Sequence, residues 1–157
     1  MYSTEAKIRQ EAGFQSSINI TSTVVVQYQT RAYNLVRSFV AGRYDITQFT
    51  GSLFTGSQAE SVLEQCEILI AAGYLEQSQF EGQPRGENSG AKKVADAMAT
   101  LKQIASGELR LIDANGSEFT SGGVSQEQSG SAEYTAPPRL NDNPTSSEKK
   151  FSVDTRF

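Results

Sequence analysis

STVVVQYQTRAYNLVRSFVAGRY, residues 22–44, carries apolar residues at a helical period over most of its length. Val25, Tyr28, Ala32, Leu35, Val36, Phe39 and Val40 recur at steps of three and four, while Gln27, Thr30, Arg31, Asn34, Arg37 and Ser38 fill the other side. The period predicts one long amphipathic helix against which the rest of the chain packs. Thr21, Ser22 and Thr23 each offer an oxygen to the open amides of a first turn, and Gly42 stands where the apolar period stops. The β-branched run Val24, Val25, Val26 favours a strand locally, but the longer period outweighs it.

Working outward, residues 2–14 predict a short helix capped by Ser3 or Thr4, with Ala6, Ile8 and Ala12 apolar and Gly13 as its stop. A polar connection over residues 15–21 tucks in one of Ile18 and Ile20. Residues 44–56 carry Ile46, Phe49, Leu53 and Phe54 with no regular period, which predicts an ordered loop or a short helical turn. Ser57 then opens a capping box with Glu60, followed by Ala59, Val62, Leu63, Cys66, Leu69 and Ile70 at helical spacing and Gly73 as terminator. Tyr74, Leu75 and Phe80 extend the packing before Pro84 and its neighbouring glycines break any helix. A further helix runs over residues 89–106 with Val94, Ala97, Met98, Leu101, Ile104 and Ala105 on one face, closed by Gly107. Leu109 and Leu111 alternate with charged residues, and Asn115-Gly116 predicts a hairpin that pairs residues 117–120 with 109–112.

From residue 121 the composition shifts to Ser, Gly and three of the four prolines, which predicts an extended tail. It ends in FSVDTRF, where Phe151, Val153 and Phe157 alternate with Ser152, Asp154 and Arg156; the cluster is either an anchor for another surface or a chance grouping. Residues 1–112 hold 10 basic and 11 acidic side chains and residues 113–157 hold 4 and 7, so most of the net charge of -4 belongs to the tail half. The expected fold is therefore mainly α: a small helical bundle over 1–112, a short hairpin or connection over 113–120, and an extended tail over 121–157.

The chemistry on offer is sparse. A chain without His lacks the commonest general base near neutral pH and the commonest metal ligand, and a net charge of -4 argues against tight binding to phosphates. Cys66 lies on an apolar helix face and reads as a small buried hydrophobe. Gly86, Ser89 and Lys93 superficially resemble a phosphate loop but lack its order; they read as a loop and helix cap. Glu60, Glu64 and Glu67 read as a solvated acidic stripe, and Asp113, Asn115 and Glu118 as a turn. No cofactor, metal or enzymatic activity is expected. No apolar run is long enough to cross a membrane, and MYSTEAKIRQ lacks a signal-peptide core. Arg31, Arg37 and Arg43 either meet carboxylates of a neighbouring subunit or keep one face wet.

Three pieces, taken in order, resemble the head-tail connector or adaptor proteins of tailed bacteriophages, in particular the phage Mu connector-like group. They are the long helix ending in Ala41-Gly42-Arg43-Tyr44, the pattern Leu101, Ile104, Gly107, Leu111 into which the last body helix runs, and the end Phe151, Ser152, Asp154 and Phe157. The resemblance implies a structural virion protein of the neck, assembled in the host cytoplasm. It would form a homo-oligomeric ring, expected to be a dodecamer, that joins the portal protein to head-completion, stopper or tail proteins while DNA passes through without specific binding. It makes Phe151, Ser152, Val153, Asp154, Arg156 and Phe157 candidates for partner binding, and Arg31, Arg37, Arg43 and Tyr44 candidates for the subunit interface. The competing readings are a stopper or tail-completion subunit and a soluble helical interaction protein with a disordered tail.

Overall fold

Helix α3 (Gln58–Gln79) is the piece the others surround. In this computed structural model, which describes residues 1–15, 17, 19–79 and 89–120, α1 (Glu5–Glu11), α2 (Ser22–Ala41) and α4 (Ser89–Ser106) all pack on it. The chain divides into two compact units, Met1–Ser125 and Gln126–Phe157, and the second lies outside the described residues. The described part is mainly α, as the periodicities require. The centre, however, is α3 rather than α2. Cys66, Glu67, Ile68, Ile70, Ala71, Ala72 and Gly73 are all buried, so α3 has no broad solvent face over these turns. Helix α2 keeps a wet side and buries Val25, Gln29, Ala32, Val36 and Val40.

Gly73 does not end α3, which runs on to Gln79. The glycine is there for an approach, not a stop. A β-carbon at Gly73 would lie 2.6 Å from the Gly90 carbonyl oxygen and 2.7 Å from Val94 Cγ2, and one at Gly90 would lie 2.7 Å from the Gly73 oxygen. The α3 and α4 backbones therefore touch at this crossing, and the helix penalty of about 1 kcal/mol for Gly against Ala accompanies that contact.

The other helix ends follow local chemistry with two departures. Thr4 caps α1 through the Lys7 amide, and Gly13 beyond it takes φ +73°. Thr21 sits at the α2 N-cap but makes no side-chain cap bond. Ser57 Oγ does accept the Glu60 amide at 3.0 Å, yet the Glu60 carboxylate reaches the Gly56 amide at 2.6 Å instead of the Ser57 amide, which is already bonded to the Phe54 carbonyl. The segment between α2 and α3 contains a single 3-10 turn, Ile46–Gln48. Helix α4 has the expected bounds and buries Ala97, Leu101 and Ile104, while Ala105 faces solvent. Gly107 at φ +87° closes it, with its amide on the Gln103 carbonyl. Ile20 is buried as an inward anchor; Ile18 and Phe80 lie outside the described residues.

The expected hairpin contracts to one antiparallel bridge, Ile112 with Glu118, around a turn in which the Asp113 carboxylate accepts the amides of Asn115 and Ser117 at 2.8 Å. A longer ladder is prevented because its backbone groups have other partners. The Leu111 amide goes to Tyr44 Oη, the Ile112 carbonyl to the Ala59 amide and the Thr120 carbonyl to the Asp45 amide. Phe119 is buried against Phe49 at 4.9 Å between ring centroids, so the body does not stop at residue 112 but includes the turn through residue 120.

Candidate interaction surfaces

The arginines of the long helix do not form one cluster. Arg31 and Arg37 are six residues apart, roughly 240° around α2, and each lies on an aromatic ring of its own chain. Arg31 sits 5.1 Å from the Tyr74 centroid and Arg37 5.4 Å from that of Tyr33, whose hydroxyl also meets Arg37 Nη1 at 3.2 Å. Arg31 is exposed and Arg37 half-buried, so both keep a side open to solvent.

Arg43 and Tyr44 are brought together, and they serve the body's own packing. Tyr44 is 2 % exposed; its hydroxyl donates to Glu118 Oε1 at 3.0 Å and accepts the Leu111 amide at 3.2 Å. A side chain so enclosed has no surface to offer a neighbouring subunit, which removes Tyr44 from the candidates at the surface. Arg43 lies over the Tyr44 ring and against Gly107, where a β-carbon would collide with its guanidinium, and pairs with Glu118 at 3.2 Å. Arg110 reaches the other Glu118 oxygen at 3.4 Å. Burial alone would raise the Glu118 carboxyl, but the hydrogen bonds from Arg43 and Tyr44 and the charges of Arg110 and Arg43 outweigh it and hold the group below its ordinary value. Two separated pieces of sequence, Arg43-Tyr44 and the Leu101, Ile104, Gly107, Leu111 pattern, thus meet in one corner.

A second polar corner joins α1, α3 and α4. Lys93 Nζ contacts Glu76 Oε1 at 2.6 Å, the Glu11 carbonyl at 2.5 Å and Glu11 Oε1 at 3.2 Å, while Ser89 Oγ donates to Glu76 Oε2 at 2.5 Å. Burial disfavours the ammonium, yet the two glutamates more than compensate and the Lys93 pKa is raised. The lysine and serine that resembled a phosphate loop are therefore spent on carboxylates. The acidic stripe of α3 is also divided: Glu60 holds the Gly56 amide, Glu64 pairs with Lys7, and Glu67 is wholly buried, not solvated. Glu67 accepts the Tyr2 amide at 2.8 Å and Ser3 Oγ at 2.6 Å, and Gln29 Nε2 donates to the Ser3 carbonyl at 2.7 Å, which pins the N-terminus to α2 and α3. Burial, with the Tyr33 hydroxyl second, pushes the Tyr2 phenol up to about 12.

Sequence reading missed Glu67 and Glu76 as buried acceptors. The available signal was their position among apolar residues of α3; what they bond to comes from distant segments. Cys66 is 3 % exposed, and burial raises its thiol to about 11, which keeps it protonated and inert near neutral pH. Among the described residues no group of three His, Cys, Asp or Glu side chains is arranged to hold a metal, and no helix is long and apolar enough to cross a membrane.

Among the described residues, two open surface features carry an exposed apolar side chain. One is a groove of about 540 Å³ between residues 48–53 and 113–120, with Leu53 half-exposed and Phe119 in its wall. The other is the outer face of α2 around Val26, which is 41 % exposed among Ser22, Thr23, Gln27 and Thr30. Phe151, Ser152, Val153, Asp154, Arg156 and Phe157 lie outside the described residues. Comparison with family models, curated proteins and solved structures finds no match to this chain.

Proposed function

We propose that this chain is a subunit of the ring that joins the capsid portal to the tail or head-completion proteins of a tailed phage. The observation that carries the reading is the sequence order of three pieces: Arg43-Tyr44, the Leu101, Ile104, Gly107, Leu111 pattern, and the Phe151 to Phe157 end. The corner where the first two meet supports it, because the segments that resemble the family act as one packed unit rather than as unrelated coincidences. A rigid helical body with its surface arginines backed by aromatic rings suits a part that is held between other proteins. A mildly acidic chain around a DNA passage avoids gripping the phosphates.

In this reading the portal is the first partner, and Phe151 and Phe157 anchor the chain to it with Asp154 and Arg156 as polar fasteners. Co-purification of the full chain with its phage's portal tests the partner. Removal of residues 151–157 is expected to weaken that co-purification while the helical circular-dichroism signal stays. Unchanged attachment would discard the anchor, and no attachment of the intact chain would turn the reading toward a stopper or tail-completion subunit.

A further inference from the structure

Of the six asparagines in this chain only Asn115 precedes a glycine; the others are followed by Ile, Leu, Ser, Asp or Pro. The pair matters chemically, because the backbone nitrogen after an Asn can attack the Asn side-chain carbonyl. A side chain on that next residue hinders the approach, and glycine has none. Whether the reaction runs in a folded protein depends on what holds the two residues.

Asn115 and Gly116 are both exposed at the tip of the turn that follows α4. The Gly116 amide donates to the Asp113 carbonyl at 3.1 Å, the Asp113 amide to the Ser117 carbonyl at 2.8 Å, and Gly116 takes φ +85°. This is the three-residue hairpin loop in which a tight turn is followed by a left-handed residue. The side chain that braces it is Asp113, whose carboxylate accepts the Asn115 and Ser117 amides. Among the described residues no hydrogen bond holds the Asn115 carboxamide, which is therefore free to turn toward the Gly116 nitrogen. The tip is also uncrowded, since a β-carbon at Gly116 would meet no atom within 4 Å. What restrains the nucleophile is its one bond to the Asp113 carbonyl, and opening a loop tip costs far less than unfolding the body.

We infer that Asn115 is a site of spontaneous covalent modification, converted in the folded protein to aspartate and isoaspartate. The Gly116 nitrogen bonds to Asn115 Cγ, the Cγ–Nδ2 bond breaks, and the proton lost by the Gly116 nitrogen leaves with Nδ2 as ammonia. Water then opens the cyclic imide. Attack at Cγ gives aspartate; attack at the main-chain carbonyl gives isoaspartate, in which the backbone runs through the side chain with an extra carbon. Nothing is oxidised or reduced. Either product sets a new carboxylate beside Asp113, whose Oδ1 lies 2.8 Å from the residue 115 amide nitrogen, and isoaspartate also lengthens the loop. That loop returns Glu118 to Arg43 and Tyr44 and Phe119 to Phe49, so the change loosens the segment that closes the described body. The chemistry requires only the turn and water, and it stands whether or not the chain is an adaptor.

The test is to hold full-length protein in mildly alkaline buffer for weeks and to digest samples with trypsin. Cleavage after Arg110 and Arg139 isolates residues 111–139, in which Asn115 is the only asparagine. This peptide is expected to gain the mass of an amide-to-acid exchange, to resolve into two isomers and to accept methyl groups from an isoaspartate-specific methyltransferase. Asn115→Gln, whose longer side chain closes the ring poorly, is expected to lose all three signals. Protein held in urea is expected to convert several-fold faster, because the Gly116 amide is then released from Asp113. A folded sample that stays unchanged after the urea sample has converted, a gain that persists in Asn115→Gln, or a product that accepts no methyl group would each overturn the site. The aged protein is expected to unfold at lower urea than Asn115→Asp, which adds the charge without lengthening the loop; equal midpoints would overturn the loosening of the turn.

Discussion

The two ends of the α3–α4 hairpin are held by opposite means. At one end the helices touch backbone to backbone at Gly73 and Gly90, and the small space left is closed by Glu76, Ser89 and Lys93. At the other, where α3 begins and α4 ends, Tyr44, Phe49, Phe54 and Phe119 fill a wide gap with rings 4.9 to 6.4 Å apart. An atom added at the first end meets backbone, and a ring removed at the second leaves a void. Close packing allows both solutions, because what is conserved is the absence of voids and not the size of the side chains.

Truncating the aromatic end is the strongest blow to this contrast. Phe49→Ala is expected to cost about 3–5 kcal/mol in urea unfolding, since its ring contacts Tyr44, Phe54 and Phe119 and the loops have little beneath them to collapse onto. At the other end Gly73→Ala is expected to cost about 1–3 kcal/mol, although Ala is the better helix former, because its methyl displaces the α4 backbone. A Gly73→Ala protein as stable as the parent would mean that the helices do not touch there. Tyr44→Phe keeps the ring and removes only the hydroxyl, leaving the buried Leu111 amide without its acceptor; a loss on the order of 1 kcal/mol is expected.

The polar contacts of the two ends also separate by pH. Glu118, held below its ordinary value, contributes stability that is present above the unfolded carboxylate's titration near ~4.3 and is lost as pH falls through the lower folded value. Acid melts of Glu118→Gln should therefore be flatter than those of the parent. Lys93, raised, contributes below ~10.4 and loses that contribution as pH rises through its higher folded value, so the Gly73 end should weaken first in alkali. The smallest effect belongs to neither end: Lys7→Ala breaks the Glu64 pair on the surface, and a change of about 0–1 kcal/mol is expected from thermal melts.

How far the chain can be read in advance follows the same division. The α4 bounds, the α2 face and the Asn115-Gly116 turn depend on neighbours within a few residues, and periodicity and turn chemistry reach that far. Gly73 does not, because a glycine that ends a helix and one that admits a neighbouring backbone look alike until Gly90 is placed beside it. Glu67 reads from sequence as a solvated residue because its partners, Tyr2 and Ser3, are more than sixty positions away. The hairpin shrank for the same reason, its backbone groups being claimed by Tyr44, Asp45 and Ala59. At the surface, Arg43 and Tyr44 read as one candidate pair, yet Tyr44 is buried while the Arg43 side chain stays about one-third exposed beside it.

The adaptor proposal is checked by electron microscopy of particles made when this gene is disrupted in the phage that the proposal implies. DNA-containing heads lying apart from finished tails are expected. Normal, infectious particles with intact necks would contradict it and leave a helical interaction protein in its place.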